Sequence, residues 1–130
     1  MTDQNKKIKI MIVDDDHFLL DIYSLKFKTR ELDVLTVDGS SEALEKLRGG
    51  EKPDIILLDI IMPTMDGLEL LKIMRDEKLA PEAAIIMLTN QPDETEKAKS
   101  LGADGYIIKA TTIPSEVVDQ VMDIYNKKNK

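Results

Sequence analysis

The chain has 130 residues, 42% of them hydrophobic, with a formal net charge of −7 and no cysteine. That length supports one well-cored domain and is short for two, and the lack of cysteine removes disulfides, thiolate metal sites and a cysteine nucleophile. The acidic balance argues against direct nucleic-acid binding, which needs a basic face, and no apolar run is long enough to span a bilayer.

In chain order, the start from Met1 to Lys7 leads straight into a strand and not into a signal-peptide core, so a cytoplasmic location is expected. The run Ile8 to Val13 is a buried strand that closes on Asp14-Asp15. A helix follows, with Phe18, Leu19, Ile22, Tyr23, Leu25 and Phe27 as its candidate core residues. Asp16 is placed to cap it. The second strand covers about Asp33 to Val37. Gly39-Ser40-Ser41 supplies a turn and an N-cap for a helix through Ala43, Leu44 and Leu47, which Gly49-Gly50 ends.

The run Ile55 to Leu58 is the third strand and closes on Asp59. The loop Pro63-Thr64-Met65-Asp66-Gly67 leads into a helix carrying Leu68, Leu70, Leu71, Ile73 and Met74. Ala84 to Leu88 is the fourth strand, closed by Thr89. Pro92-Asp93 opens a helix almost bare of large apolar residues, which Gly102 stops. Tyr106-Ile107-Ile108 is the fifth strand and closes on Lys109. Pro114 opens the last helix, with Val117, Val118, Val121, Met122, Ile124 and Tyr125 as its apolar set. No linker or low-complexity tract interrupts the pattern, so residues 1–130 are read as one domain with its core at about 7–127.

Strands alternating with helices over short connections predict a doubly wound, five-stranded parallel α/β sheet. By analogy with folds of this class, a flavodoxin-like strand order 2-1-3-4-5 is expected. Ligands then bind beyond the carboxyl ends of the strands, at the switch point between strands 1 and 3. Asp14, Asp15 and Asp59 meet there, with Thr89 and Lys109 on the far side of the crevice. Any one of these residues taken singly has an ordinary explanation as a helix cap, turn residue or solvated charge. As a set they are harder to explain that way, because packed carboxylates repel unless a cation sits between them. An all-oxygen donor set suits Mg²⁺ or Mn²⁺ and not zinc.

From Lys7 to about Lys127 the sequence resembles the receiver domains of two-component response regulators. The resemblance rests on the acidic pair Asp14-Asp15, on Asp59 with its Pro63-Thr64-Met65-Asp66-Gly67 loop, on Thr89, and on Tyr106-Ile107-Ile108-Lys109. The intervals of 45 (14 to 59), 30 (59 to 89) and 20 (89 to 109) residues match that family's spacing. The resemblance implies that Asp59 is the phosphoacceptor, loaded from a phosphohistidine on a sensor histidine kinase or phosphotransfer protein. It also implies Mg²⁺ held by Asp15, Asp59 and the backbone carbonyl of Ile61, and through water by Asp14. Lys109 supplies a second positive charge, Thr89 a hydroxyl, and Ile60 and Asn90 backbone N–H groups to the phosphoryl oxygens. Thr89 and Tyr106 form a switch acting on a downstream protein target through helix 4, strand 5 and helix 5. The chain is then not an enzyme beyond its own phosphoryl gain and loss.

Three positions depart from the family. Ala110 stands where receivers commonly have a cis-proline, so the aim of Lys109 is open. Asn90 replaces a small residue and is expected to crowd the phosphoryl pocket. Ile61 offers a hydrolytic water nothing polar, which points to slow dephosphorylation. Other readings fit less well. A flavodoxin-type FMN carrier needs phosphate donors where Asp14-Asp15-Asp16-His17 stands. A Mg²⁺-dependent phosphohydrolase would carry its nucleophile after strand 1 and need a cap, for which the chain has no room. A degenerate receiver acting only as a binding module would be expected to lack one of the key residues. The last helix has no Lys or Arg until Lys127, so a monomer is expected.

Overall fold

The computed structural model describes residues 7–129; the N-terminal lead-in, residues 1–6, and residue 130 lie outside it. Five parallel strands form one sheet in the order β2-β1-β3-β4-β5. They are β1 (Lys9–Val13), β2 (Asp33–Val37), β3 (Ile55–Leu58), β4 (Ala84–Thr89) and β5 (Gly105–Ile108). Between and after them lie α1 (His17–Lys28), α2 (Ser40–Arg48), α3 (Gly67–Glu77), α4 (Thr95–Ser100) and α5 (Pro114–Lys128). Short 3-10 turns at Pro92–Glu94 and Lys109–Thr111 lead into α4 and out of β5.

Strand side chains alternate between faces, so each central strand feeds two cores. Ile10, Ile12, Ile55, Leu57, Ile86 and Leu88 pack with Leu20, Tyr23 and Phe27 of α1 and Val117, Val118 and Val121 of α5. Met11, Val13, Ile56, Leu58, Ile85 and Met87 pack on the opposite face with α2, α3 and Ala98 of α4. This two-sided burial is why β1, β3 and β4 are continuous apolar runs.

The α1 stripe differs from the expected one. Leu20, Tyr23 and Phe27 are buried, while Phe18 is 72% and Leu25 63% exposed. The buried positions follow helical spacing at i, i+3 and i+7, whereas an apolar count along the segment selects by residue type alone. Asp16 caps this helix as expected, accepting from the Leu19 N–H at 3.2 Å. For α2 the N-cap is Gly39, with no side-chain cap bond; Ser40 is the first helical residue and its buried hydroxyl points to the Met62 sulfur. Gly50, at φ 105°, takes the left-handed step after α2.

α4 is held far less firmly than α3. α3 buries Leu68, Leu70, Leu71 and Met74, each contributing about 1.5–3 kcal/mol, whereas α4 buries only Ala98. What ties down its C-terminal end is Arg75 of α3, whose guanidinium donates to the carbonyls of Leu101 and Gly102.

Candidate phosphoryl and metal site

The register of the sheet carries the acids into contact. Val13 pairs with Leu58 across β1 and β3, and the ladder continues one step further through the Asp59 N–H donating to the Val13 carbonyl at 3.0 Å. Asp14 and Asp59 therefore leave adjacent strand ends side by side. One carboxylate oxygen from each of Asp14, Asp15 and Asp59 falls within 4.8 Å of the others, with Asp14 and Asp59 buried and Asp15 exposed.

Lys109 enters from the end of β5 and bridges two of these acids. Its ammonium lies 2.7 Å from Asp14 Oδ2 and 2.8 Å from Asp59 Oδ2, with 11% of its side chain exposed. It rises from the far side of the crevice, as expected, and its ammonium is in direct contact with both carboxylates. Asp59 Oδ1 accepts from the Ile60 N–H at 2.7 Å and, more loosely, from the Ile61 N–H at 3.4 Å. Asp14 Oδ1 accepts from the Asp16 N–H at 2.9 Å.

The charges respond to this enclosure. Burial pushes the Asp14 carboxyl above its ordinary value, and the Lys109 and Asp16 donors offset only part of that. Burial by itself pulls the Lys109 ammonium down, but the hydrogen bonds to Asp14 and Asp59 outweigh it, so the net direction is up. The site holds one partly buried cation against two buried anions and a third at the surface. That excess of negative oxygen is what a hard divalent cation neutralises.

The loop after β3 is held by α3. Asp66 and Glu69 form a reciprocal capping box, worth about 1 kcal/mol, with bonds of 2.9 and 3.0 Å. The Gly67 N–H donates to the Ile60 carbonyl at 2.8 Å. A Cβ at Gly67 would sit 2.0 Å from the Asp59 carbonyl oxygen, so only glycine lets the helix start against the Asp59 backbone.

Thr89 ends β4 fully buried, and its hydroxyl oxygen accepts from the Gln91 N–H at 3.4 Å. Tyr106 packs against the α2–α3–α4 core, and its hydroxyl donates to the Gln91 carbonyl. Asn90 does not crowd the pocket as expected. Its side chain turns to the 3-10 turn after β5, where Oδ1 accepts from the Ala110 N–H at 2.7 Å. No peptide bond among the described residues is cis, so Lys109-Ala110 is trans.

The family follows from comparison with known proteins. Residues 10–121 match the response regulator receiver domain. The chain belongs to that family. Among curated relatives, this receiver is 36% identical over 121 residues to the alkaline phosphatase synthesis transcriptional regulatory protein PhoP of Bacillus subtilis, covering 92% of this chain and 49% of that protein. The receiver thus spans about half the length of that relative. Among solved structures, a CheY-like receiver domain protein from Methanospirillum hungatei superposes with a TM-score of 0.85 at 28% identity, covering 95% of this chain and 98% of that one. The response regulator TrrA from Thermotoga maritima, solved in complex with Mg(2+)-BeF, gives a TM-score of 0.76 at 28% identity, covering 89% and 97% of the two chains.

Two features of this receiver's site escaped the sequence. Tyr23 lies beside the cluster: burial raises its phenol, and Lys109, Asp14 and Asp59 all act on it electrostatically. Its helical spacing from Leu20 and Phe27 was the available signal. The Asn90–Ala110 contact had none, since nothing in a linear sequence says which way an exposed amide turns. No helix among the described residues is long and apolar enough to cross a membrane.

Proposed function

We propose that this receiver accepts a phosphoryl group on Asp59 from the phosphohistidine of a sensor histidine kinase or phosphotransfer protein. The observation that carries the reading is the surroundings of Asp59. It is buried, it sits with two other carboxylates within 4.8 Å, and it is the one carboxylate of the three that takes both Lys109 and two consecutive backbone N–H groups.

In the transfer, an Asp59 oxygen attacks phosphorus in line; the new P–O bond forms as the P–N bond to the donor imidazole breaks. Lys109 moves from Asp59 to the incoming phosphoryl oxygens. Thr89 donates its hydroxyl, and the Ile60 and Asn90 N–H groups complete the cradle. Asp15, Asp59 and the Ile61 carbonyl, with Asp14 through water, would hold Mg²⁺ or Mn²⁺. The chemistry that ion supplies is neutralisation of the charge shared by nucleophile and phosphoryl group.

Phe18, Ile61 and Ile113 are exposed apolar residues that each follow a strand's carboxyl end, on the rim where the donor must approach. Thr89 and Tyr106 transmit the modification: Thr89 is drawn to the phosphoryl group and Tyr106 fills the space it leaves. That biases the weakly anchored α4 with β5 and α5, the face offered to a downstream protein. The chain acts as a monomer, without direct nucleic-acid contact, in the cytoplasm. It catalyses nothing beyond its own phosphorylation and dephosphorylation, and apolar Ile61 keeps the loss slow.

Intact-mass measurement after incubation with acetyl phosphate, with and without Mg²⁺, tests the assignment. The wild type is expected to gain one phosphoryl group only with Mg²⁺, and Asp59→Asn none. An Asn variant that gains one at the wild-type rate, or a wild type that gains none, would leave only the binding-module reading.

A further inference from the structure

The residues that follow Thr89 and Lys109 are joined to each other. The β4–β5 ladder ends at the pair Thr89 and Ile108. Beyond it, the N–H of Ala110, two residues past Ile108, donates to Oδ1 of Asn90, one residue past Thr89, at 2.7 Å. Ala110 lies in the single 3-10 turn Lys109–Thr111, too short to satisfy its own first N–H groups. A proline at this position would have no N–H to give.

This bond fixes the plane of the Lys109-Ala110 peptide, and with it the direction in which the Lys109 side chain leaves the backbone. A lysine has four rotatable side-chain bonds, so where its ammonium arrives depends on where the stem starts. The stem is largely enclosed, with 11% of the side chain exposed, but Ala110 and Thr111 of the turn it springs from are exposed. An open cavity of about 500 Å³ lies against the turn, lined by Leu19, Tyr23, Asn90, Lys109, Ala110 and Thr111 among others. The turn has room to move on that side, and the amide bond ties it to the residue after β4, beside the turn's own bonds from the Thr112 N–H to the Lys109 carbonyl at 3.3 Å and from the Thr111 hydroxyl to the Ile108 carbonyl at 3.4 Å.

We propose that the Asn90 side chain is a positioning residue for Lys109: by pinning the Ala110 N–H it keeps the ammonium facing Asp14 and Asp59. This role is separate from that of the Asn90 backbone N–H, which every substitution except proline retains. It rests on the phosphoacceptor reading, because the pinned ammonium is the one assigned to the phosphoryl oxygens.

The test compares wild type, Asn90→Ala, Lys109→Ala and the double variant in acetyl phosphate phosphorylation at saturating Mg²⁺. Asn90→Ala is expected to slow phosphorylation roughly tenfold, the scale of a small misplacement of a reacting group. In the Lys109→Ala background the same change should alter the rate by less than about twofold, since there is no ammonium left to aim. Competitive amine labelling read by mass spectrometry supplies a measurement independent of turnover. Lys109 should label several-fold faster in Asn90→Ala than in the wild type, with the other lysines and the thermal midpoint unchanged.

Wild-type phosphorylation or Lys109 labelling rates in Asn90→Ala overturn the inference, as does an equal slowing in both backgrounds. Those results leave the phosphoacceptor reading standing. A wild type that gains no phosphoryl group removes that reading, and the inference with it.

Discussion

The ammonium of Lys109 lies 2.8 Å from Oδ2 of Asp59, although 50 residues separate them in the chain. The same nitrogen reaches Asp14, so a single cation offsets two buried carboxylates.

Lys109→Ala removes that offset. Breaking a buried ion pair by deleting one partner costs about 3 kcal/mol, because the remaining charge is left uncompensated. Denaturant unfolding of the metal-free variant is expected to show a loss of this order. Added Mg²⁺ should stabilise the variant more than the wild type, since the ion no longer competes with the ammonium for Asp14 and Asp59.

Asp14→Asn has a pH-dependent effect whose sign follows from burial. The folded-state pKa of Asp14 is raised above its ordinary 3.8, so the folded protein holds this proton more tightly than the unfolded chain does. The stability this contributes is fully present below 3.8 and is lost as pH rises through the folded value. At neutral pH without Mg²⁺ the neutral Asn variant should therefore be the more stable protein. Its advantage should shrink as pH falls toward 3.8, and paired thermal melts across that range check it.

Gly67→Ala forces a methyl group to within 2.0 Å of the Asp59 carbonyl oxygen unless the backbone moves. An overpacked contact of this kind costs about 1–3 kcal/mol. The expected result is a destabilised protein whose phosphorylation rate falls by roughly 10- to 100-fold, because the displaced backbone carries Asp59, the proposed nucleophile. Unfolding and phosphorylation measured on the same preparation separate the two effects.

Sedimentation with Mg²⁺ and beryllofluoride is expected to show a monomer. α5 exposes Glu116, Asp119 and Asp123 along its length and carries basic side chains only at Lys127 and Lys128. Lys127 pairs with Asp123 and Lys128 with Asp104, so both are engaged within the chain. α5 therefore offers a second copy no unpaired basic side chain, and a clean dimer would contradict the reading.

Much of this was legible in the amino-acid sequence. The apolar runs from Ile8, Ile55 and Ala84 mark central strands because burial on both faces leaves no room for polar residues. Asp14, Asp59 and Thr89 stand out because each closes such a run, and Lys109 because it closes the apolar run of edge strand β5. Asp16 could be recognised as a cap from its place before a helix. All of these are local signals, carried by neighbours in the chain.

What the tertiary structure decided depends on residues that meet from far apart. Which apolar residues of α1 face inward was set by its docking against β1, β2 and α5, selecting Leu20 over Phe18. The close approach of Gly67 to Asp59 exists only once α3 is docked. Lys109 rises from the far side of the crevice, as its place after β5 predicts, whereas Asn90 turns to the Ala110 N–H, because direction at a strand's end is not encoded by its neighbours. Strand register sets where each side chain starts, and the nearest unmet donor or acceptor sets where it goes. For Asn90 that partner is the Ala110 N–H, 20 residues away in sequence and 2.7 Å away in space.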